Sequence, residues 1–464
     1  MSTIDLRIRN ASVVLSDGPR DLDILVDGGK ITGVVPRTDP TVATEEIDAT
    51  GLHVFPGLVD PHVHLGPNIT YPQSAEDVAR ETQSAAAGGI TTLIAYLMTP
   101  QPYEEVFPIA KAAMEADSAV DFGFHFCVVT RDQLESMPDY VRDLGVSSFK
   151  FFMNFRGDEG KYLDLPGNDD GFMFDLLEAA ERNGAMLDPH AENIELVWRL
   201  RALGRPEGVN DLDAWNLGRP DYVEAEALHR LSFLAKVTGA SVYAVHTTSG
   251  LSLDVLRQGQ QSHPDLFVET CPHYLTLDIN APCGTYGKVN PPLRPRHDLD
   301  ALWSAVADGL VDTIGSDHVP RHKSFKEKDI MTASAGFPGM QNLLPLLISE
   351  GYHKRNLPLE RIAYLTSTRP AQLFGLYPKK GVIHVGSDAD LTLVDLSGQA
   401  DITAATQLSG AEYTPWEGWH VEGVVARTIR GGESTFANGA ILPSATGKFL
   451  HREHSGRAAL DAIA

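Results

Sequence analysis

At 464 residues, 43% hydrophobic and 22% charged, the chain has an ordinary globular composition and enough length for one large domain plus a smaller one. Its formal net charge of −24 excludes nucleic acid and anionic membranes as partners, because both require a basic patch. Three scattered cysteines, Cys127, Cys271 and Cys283, exclude a disulfide framework or a thiolate metal site and fit a reducing cytoplasm.

The N-terminal stretch MSTIDLRIRNASVVLSDG alternates apolar and polar residues, as a strand does, and lacks the basic-then-apolar plan of a signal peptide. No apolar run approaches the roughly 20 residues that span a bilayer, so a soluble, cytoplasmic protein is expected. The runs DLRIRN, DILVDGG and ITGVV, punctuated by Gly, Asp and Pro, predict short antiparallel strands and turns. That texture returns in ADLTLVDL, VVARTIRGG and STFANGAIL, which predicts one small β-rich domain shared by the two ends.

Between them, short apolar runs alternate with longer amphipathic segments. The runs are GLVDPHVH, TTLIAYL, DFGFHFCVV, SSFKFFM, AMLDPHAE, SVYAVHTT, LFVETCPHYL and VDTIGSDH, eight in all. The intervening segments have helical spacing and several end in Gly, as helix C-caps do. Ser74 with Asp77 resembles a capping box at the first of them. Eight strand-then-helix units predict an α/β fold, a (β/α)8 barrel, whose chemistry sits at the C-terminal ends of the strands. An open doubly wound sheet is the competing fold.

Side chains at i and i+2 of a strand share a face, so His62 and His64 of DPHVH point the same way and could hold one metal ion. Further along, Lys150, His190, His246 and Asp317 fall near the ends of the fourth, fifth, sixth and eighth runs, where strand ends converge. Lys150 stands in the apolar string FKFF. A buried ammonium costs several kcal/mol unless neutralised or paired, and a neutral amine reacts with carbon dioxide to give an anionic carbamate.

The ordered series PGLVDPHVH, GGITTLI, SSFKFFM, PHAENIELV, AVHTTSG, ETCPHYL, KVNPPLRP, TIGSDHVP and KKGVIHVGSDADLTLVD resembles the amidohydrolase superfamily, in its cyclic amidohydrolase branch of hydantoinases, dihydropyrimidinases, allantoinases and dihydroorotases. The resemblance implies a TIM-like barrel over 58–375, a small β-sandwich built from 1–57 with 376–440, and a C-terminal tail, 441–464, that reads as an interface arm or an unstructured end. It implies two divalent ions, zinc foremost with manganese or cobalt as substitutes. His62 and His64 would bind one with Asp317, His190 and His246 would bind the other, and Lys150, as N6-carboxylysine, would bridge them. A metal-bridging hydroxide would attack the amide carbon, with Asp317 as the catalytic base. A homotetramer or homodimer is also implied.

The substrate positions match less evenly. Dihydroorotases usually carry Arg soon after the paired histidines, where this chain reads His64-Leu65-Gly66-Pro67, so dihydroorotate is disfavoured. Hydantoinases usually place a Tyr donor where this chain has Phe155, whose ring donates no hydrogen bond; Tyr96 or Asn154 is the substitute donor. Asn290 sits where the family meets the ring amide, and Pro338 replaces an Asn whose backbone carbonyl would still serve. Arg156 and Lys161, alternating with Asp158, Glu159 and Asp164, read as a solvated loop face. Phe152, Phe155, Tyr162 and Phe172 line a specificity pocket or pack a lid, and His273 and His318 sit behind the ligands or against substrate. The expected activity is hydrolysis of a small cyclic amide of the hydantoin or dihydropyrimidine type. A cyclic imide, allantoin or an acyclic amide or carbamate is the rival substrate. A non-catalytic scaffold is disfavoured by the complete ligand set.

Overall fold

The alternating runs at both ends of the chain join one sheet. The computed structural model describes residues 3–157 and 159–463. Strands β1 (Ile4–Leu15), β2 (Gly18–Asp27), β3 (Lys30–Val35), β4 (Ala43–Asp48) and β5 (His53–Pro56) come from the N-terminal segment. After the barrel, β14 (Leu391–Ile402) pairs antiparallel with β5, and β15 (Trp419–Arg430), β16 (Glu433–Ala437) and β17 (Ala440–Ile441) continue outward. The strands of the two ends join in one nine-stranded mixed sheet, separate from the barrel sheet. Ile8, Ile24 and Val26 from one segment and Leu391, Leu393 and Ile429 from the other fill a common core.

The eight central runs become β6 (Leu58–Val63), β7 (Ile90–Leu97), β8 (Asp121–Cys127), β9 (Ser148–Phe152), β10 (Met186–His190), β11 (Ser241–Ala244), β12 (Leu266–Thr270) and β13 (Thr313–Ile314), parallel and in sequential order. A parallel bridge between Val63 and His318 closes the ring, with the His64 amide donating to the His318 carbonyl at 2.8 Å. All seven residues of β8 are buried, as parallel strands under helices require. Phe122, Phe124 and Phe126 face outward onto Tyr103, Phe107 and Phe449. Each such ring contributes about 1.5–3 kcal/mol on burial, so this face fixes helices to barrel, while His125 points inward among polar groups.

Helix ends follow the sequence cues. The helices Asp221–Thr238 and Arg296–Asp308 stop at Gly239 and Gly309, both in the left-handed region that favours glycine. Half of the predicted capping box forms: Asp77 Oδ2 accepts from the amides of Gln73 and Ser74 at 2.6 and 2.8 Å, ahead of the helix Glu76–Ala87. The tail is structured over its described residues. It crosses the N-terminal ends of the strands, opposite the ligands, where the Leu450 amide donates to the Phe122 carbonyl and buried Arg452 donates to Ser148 Oγ at 2.9 Å. Sheet and barrel are tied by buried Lys380, whose Nζ lies 2.5 Å from Asp121, 2.9 Å from Asp388 and 2.7 Å from Asp390. Arg430, 3.0 Å from Asp121, and Lys30, 2.5 Å from Asp388, complete the charge balance of that acidic trio.

Candidate active site

All six predicted ligand residues, His62, His64, Lys150, His190, His246 and Asp317, line one cavity of about 530 Å³ at the C-terminal ends of the barrel strands. They arrive by different routes. His62 lies within β6, His64 just beyond it, Lys150 in mid-β9 and His190 at the end of β10. His246 and Asp317 follow short strands and hold left-handed backbone, φ 42° and 46°. Such conformations in residues other than glycine store strain and concentrate at functional sites.

Asp317 Oδ1 lies 3.2 Å from His62 Nε2 and 3.6 Å from His64 Nε2. Two ligands each about 2.0–2.1 Å from a tetrahedral ion stand roughly 3.3 Å apart, so these three donors fit one ion, and His62 Nε2 has no hydrogen-bond partner. Beside them the rings of His190 and His246 have centroids 4.7 Å apart, and those of His246 and His62 5.4 Å. Lys150 is buried without an ion pair among the described residues, its Nζ over the rings of Tyr96 and Phe152 at 4.6 and 5.1 Å. Burial lowers its pKa, and nearby Asp317, Asp188 and Glu269 only partly restore it. The site is thus rich in unprotonated nitrogen. Burial holds His64 and His246 well below their usual value, and holds His190 below it despite Glu192. His62 is the exception: burial opposes its charge, but Glu269 and Asp317 outweigh this and push it up to about 9. Two carboxylates around one imidazole are an arrangement that calls for a cation, a proton or a metal.

The orienting partners of these histidines were not identified in the sequence. Glu269 Oε2 accepts from His62 Nδ1 at 2.7 Å and from the His246 amide at 2.8 Å, and its other oxygen accepts from Tyr243. Glu192 takes His190 Nε2 at 2.7 Å and is held by Arg219 at 2.6 Å, which leaves His190 Nδ1 to ligate. Burial opposes the Glu192 charge, yet Arg219 and His190 bring it down to about 2. The Glu192 cue was present two residues after His190; Glu269 is 207 residues from His62 and carries none. Such partners govern metal affinity by about 10–100-fold. Glu269→Gln is therefore expected to weaken metal retention on titration with a chelator by that factor; unchanged retention would remove Glu269 from this role.

Of the predicted substrate residues, Asn154, Phe155 and Asn290 line the cavity. Phe155 stacks on Phe152 at 4.2 Å, the buried Asn154 Oδ1 has no partner, and Asn290 Oδ1 accepts from Trp215 Nε1 at 3.1 Å, leaving its amide protons available. Tyr96 does not reach the cavity. It lies beneath the ligands, its ring stacked on His64 and His125 at 5.1 and 4.3 Å, because β7 turns it toward the barrel axis. Pro338 also lies off the wall, which residues 331–336 form instead. Arg156 pairs with Glu195 at 2.7 Å outside the cavity, and Phe172 packs on Phe151 in the core. Asp158 and the Tyr162 side chain lie outside the described residues. His318 bonds Glu81 at 2.9 Å, away from the ligands, and neither ring nitrogen of the buried His273 has a partner. The sequence reading missed Arg201, Trp215, Lys288 and Arg321, all on the wall, although Lys288 stands in KVNPPLRP and Arg321 closes SDHVPR.

Comparison with known proteins gives the same answer. A D-phenylhydantoinase of Escherichia coli is 33% identical over 96% of this chain and 98% of its own length. The crystal structure of a dihydropyrimidinase from Brevibacillus agri superposes with a TM-score of 0.89 at 30% identity, covering 97% of this chain and 99% of that one. An L-hydantoinase (dihydropyrimidinase) from Arthrobacter aurescens gives 0.88 at 30% identity, covering 97% and 100%. The profile of the amidohydrolase family matches residues 53–435, and with the ligand residues gathered at the mouth of a closed barrel, the chain belongs to that family.

Proposed function

We propose that this protein is a metal-dependent hydrolase of a cyclic amide C–N bond, acting on a ring of the hydantoin or dihydropyrimidine type. The observation that carries the reading is the meeting of all six donor residues in one cavity with Asn290 on its wall. His62, His64 and Asp317 would hold one divalent ion, His190 and His246 a second, with carboxylated Lys150 between them. Zinc is the proposed metal, with manganese or cobalt as substitutes. When bound, the ions would make water acidic near neutral pH and polarise the scissile carbonyl.

The chain's own groups do the rest. Lys150 Nζ, whose pKa burial lowers, would attack carbon dioxide from its neutral form, gaining the N–C bond as one C–O π bond opens and releasing its proton. Asp317 takes the proton of the attacking water at its carboxylate and passes it to the departing ring nitrogen. Glu269 and Glu192 hold His62 and His190 in orientation, and Asn290 offers Nδ2 to the ring amide. Asn154, rather than Tyr96, is the proposed donor where Phe155 replaces a hydroxyl. That replacement is what keeps a second reading, a cyclic imide, allantoin or an acyclic amide or carbamate, in the test. Residues 1–57 with 376–440 are taken as the small domain, 58–375 as the catalytic barrel and 441–464 as the tail. A homo-oligomer, dimer or tetramer, in the cytoplasm completes the proposal. Among the described residues no helix is long and apolar enough to cross a membrane.

Purified protein loaded with zinc or manganese is to be offered dihydrouracil, 5-substituted hydantoins, allantoin, dihydroorotate and a cyclic imide, with ring loss followed by absorbance or mass. Opening of a hydantoin or dihydrouracil is expected. No opening by protein that holds two metal equivalents would discard the cyclic-amide class.

A further inference from the structure

The cavity that gathers the ligands is also lined by Arg201, Lys288 and Arg321. Arg201 is neutralised, with NH1 2.8 Å from Glu159. The other two are not. Lys288 is 3% exposed; its Nζ donates to the Ile330 carbonyl at 2.5 Å and lies 3.8 Å from the centre of the Trp215 ring. Arg321 is 7% exposed, and its Nε donates to the Ala335 carbonyl at 3.3 Å. Neither makes an ion pair among the described residues. Among the described residues the carboxylates on the same wall are Glu159 and Asp317, the first spent on Arg201 and the second on His62 and His64.

Lys326, also buried, sharpens the contrast. Its ammonium is satisfied by the carbonyls of Lys288, Ser334 and Gly336 at 2.8–2.9 Å, so it pins the loop that carries the wall. Burial, then Lys288 and Arg321, push its pKa well down, which marks the three cations as close neighbours. Burial, with Arg201 and Arg219 alongside, outweighs the carboxylates of Asp329 and Glu159 and brings Lys288 down to about 7. A buried cation left unpaired costs several kcal/mol, and a ligand that supplies the missing anion recovers that cost.

Resting on the cyclic-amide reading, we infer that the substrate ring carries a carboxylate on its exocyclic substituent, bound by Lys288 and Arg321 while Asn290 meets the ring amide. The guanidinium fork of Arg321 matches a carboxylate in two parallel hydrogen bonds, and Lys288 adds a point charge. A local positive wall also draws in an anion that a surface of net charge −24 repels.

The test uses the metal-loaded enzyme and a matched pair, 5-(2-carboxyethyl)hydantoin and its primary amide, with Kd by calorimetry and kcat/KM by ring opening. The carboxylate is expected to bind roughly 10–100-fold tighter than the amide, the worth of one or two charge-assisted hydrogen bonds. Lys288→Met and Arg321→Met should each cut that ratio about tenfold, and Arg321→Lys, which keeps the charge but loses the fork, should fall between wild type and Arg321→Met. Equal Kd for the pair, or a ratio unmoved in both Met variants, overturns the inference. Tight binding of the carboxylate without ring opening would support the charged wall and count against the proposed reaction. Equal binding and fast opening of both would do the reverse.

Discussion

Lys150→Ala is expected to lower kcat/KM by about 10³-fold or more, since a lost bridging anion forfeits several kcal/mol of charge stabilisation at about 1.4 kcal/mol per tenfold. The variant should also purify with less metal. Among the described residues the side chain leaves no broken ion pair behind: Lys150 Nζ rests over the Tyr96 and Phe152 rings. Removing it should therefore spare the fold and act on the site alone. Steady-state kinetics, metal content by plasma mass spectrometry and circular dichroism together read this outcome. Activity in a metal-free Lys150→Ala variant would end the mechanism, and intact mass of the native protein reads the added carbon dioxide directly.

Asp317→Asn should lower kcat by about 10²–10⁴-fold, the range for a positioned acid or base, with a smaller change in KM. Asn is the right substitution because it also tolerates left-handed backbone, and Asp317 has φ 46°. The shape of the site is thus kept while its proton acceptor is removed. Burial opposes the Asp317 charge, but His62, His64 and His273 hold the carboxyl below its usual range, so it is ionised at neutral pH and able to accept. Wild-type kcat in a metal-loaded Asn variant would assign the base elsewhere, with Asp317 left as a ligand only.

The barrel was legible because each of its signals is local. Eight short apolar runs, helices between them and glycine stops at Gly239 and Gly309 follow from backbone geometry within a few residues. The gathering of the six proposed ligand residues was equally legible, since each stands within or just past a barrel strand and barrel closure brings those strands together. His62 and His64 illustrate the rule, both turned to one Asp317 oxygen at 3.2 and 3.6 Å. The tail was not legible. Its docking depends on Arg452 reaching Ser148, 304 residues earlier, and no pattern within 441–464 encodes that partner.

By itself, the sequence determined which chemistry this chain carries: imidazoles, one apolar-flanked amine and one aspartate at positions that a β/α repeat brings to a single mouth. Only the tertiary structure decided how those groups are held and what they face. Glu269 behind His62, Tyr96 beneath the ligands and the unpaired Lys288 and Arg321 on the wall come from separate loops and strands. The physical reason is range. Periodicity and capping act over a few residues, whereas the dielectric environment and charge partners of a buried group depend on neighbours that meet only when the barrel closes.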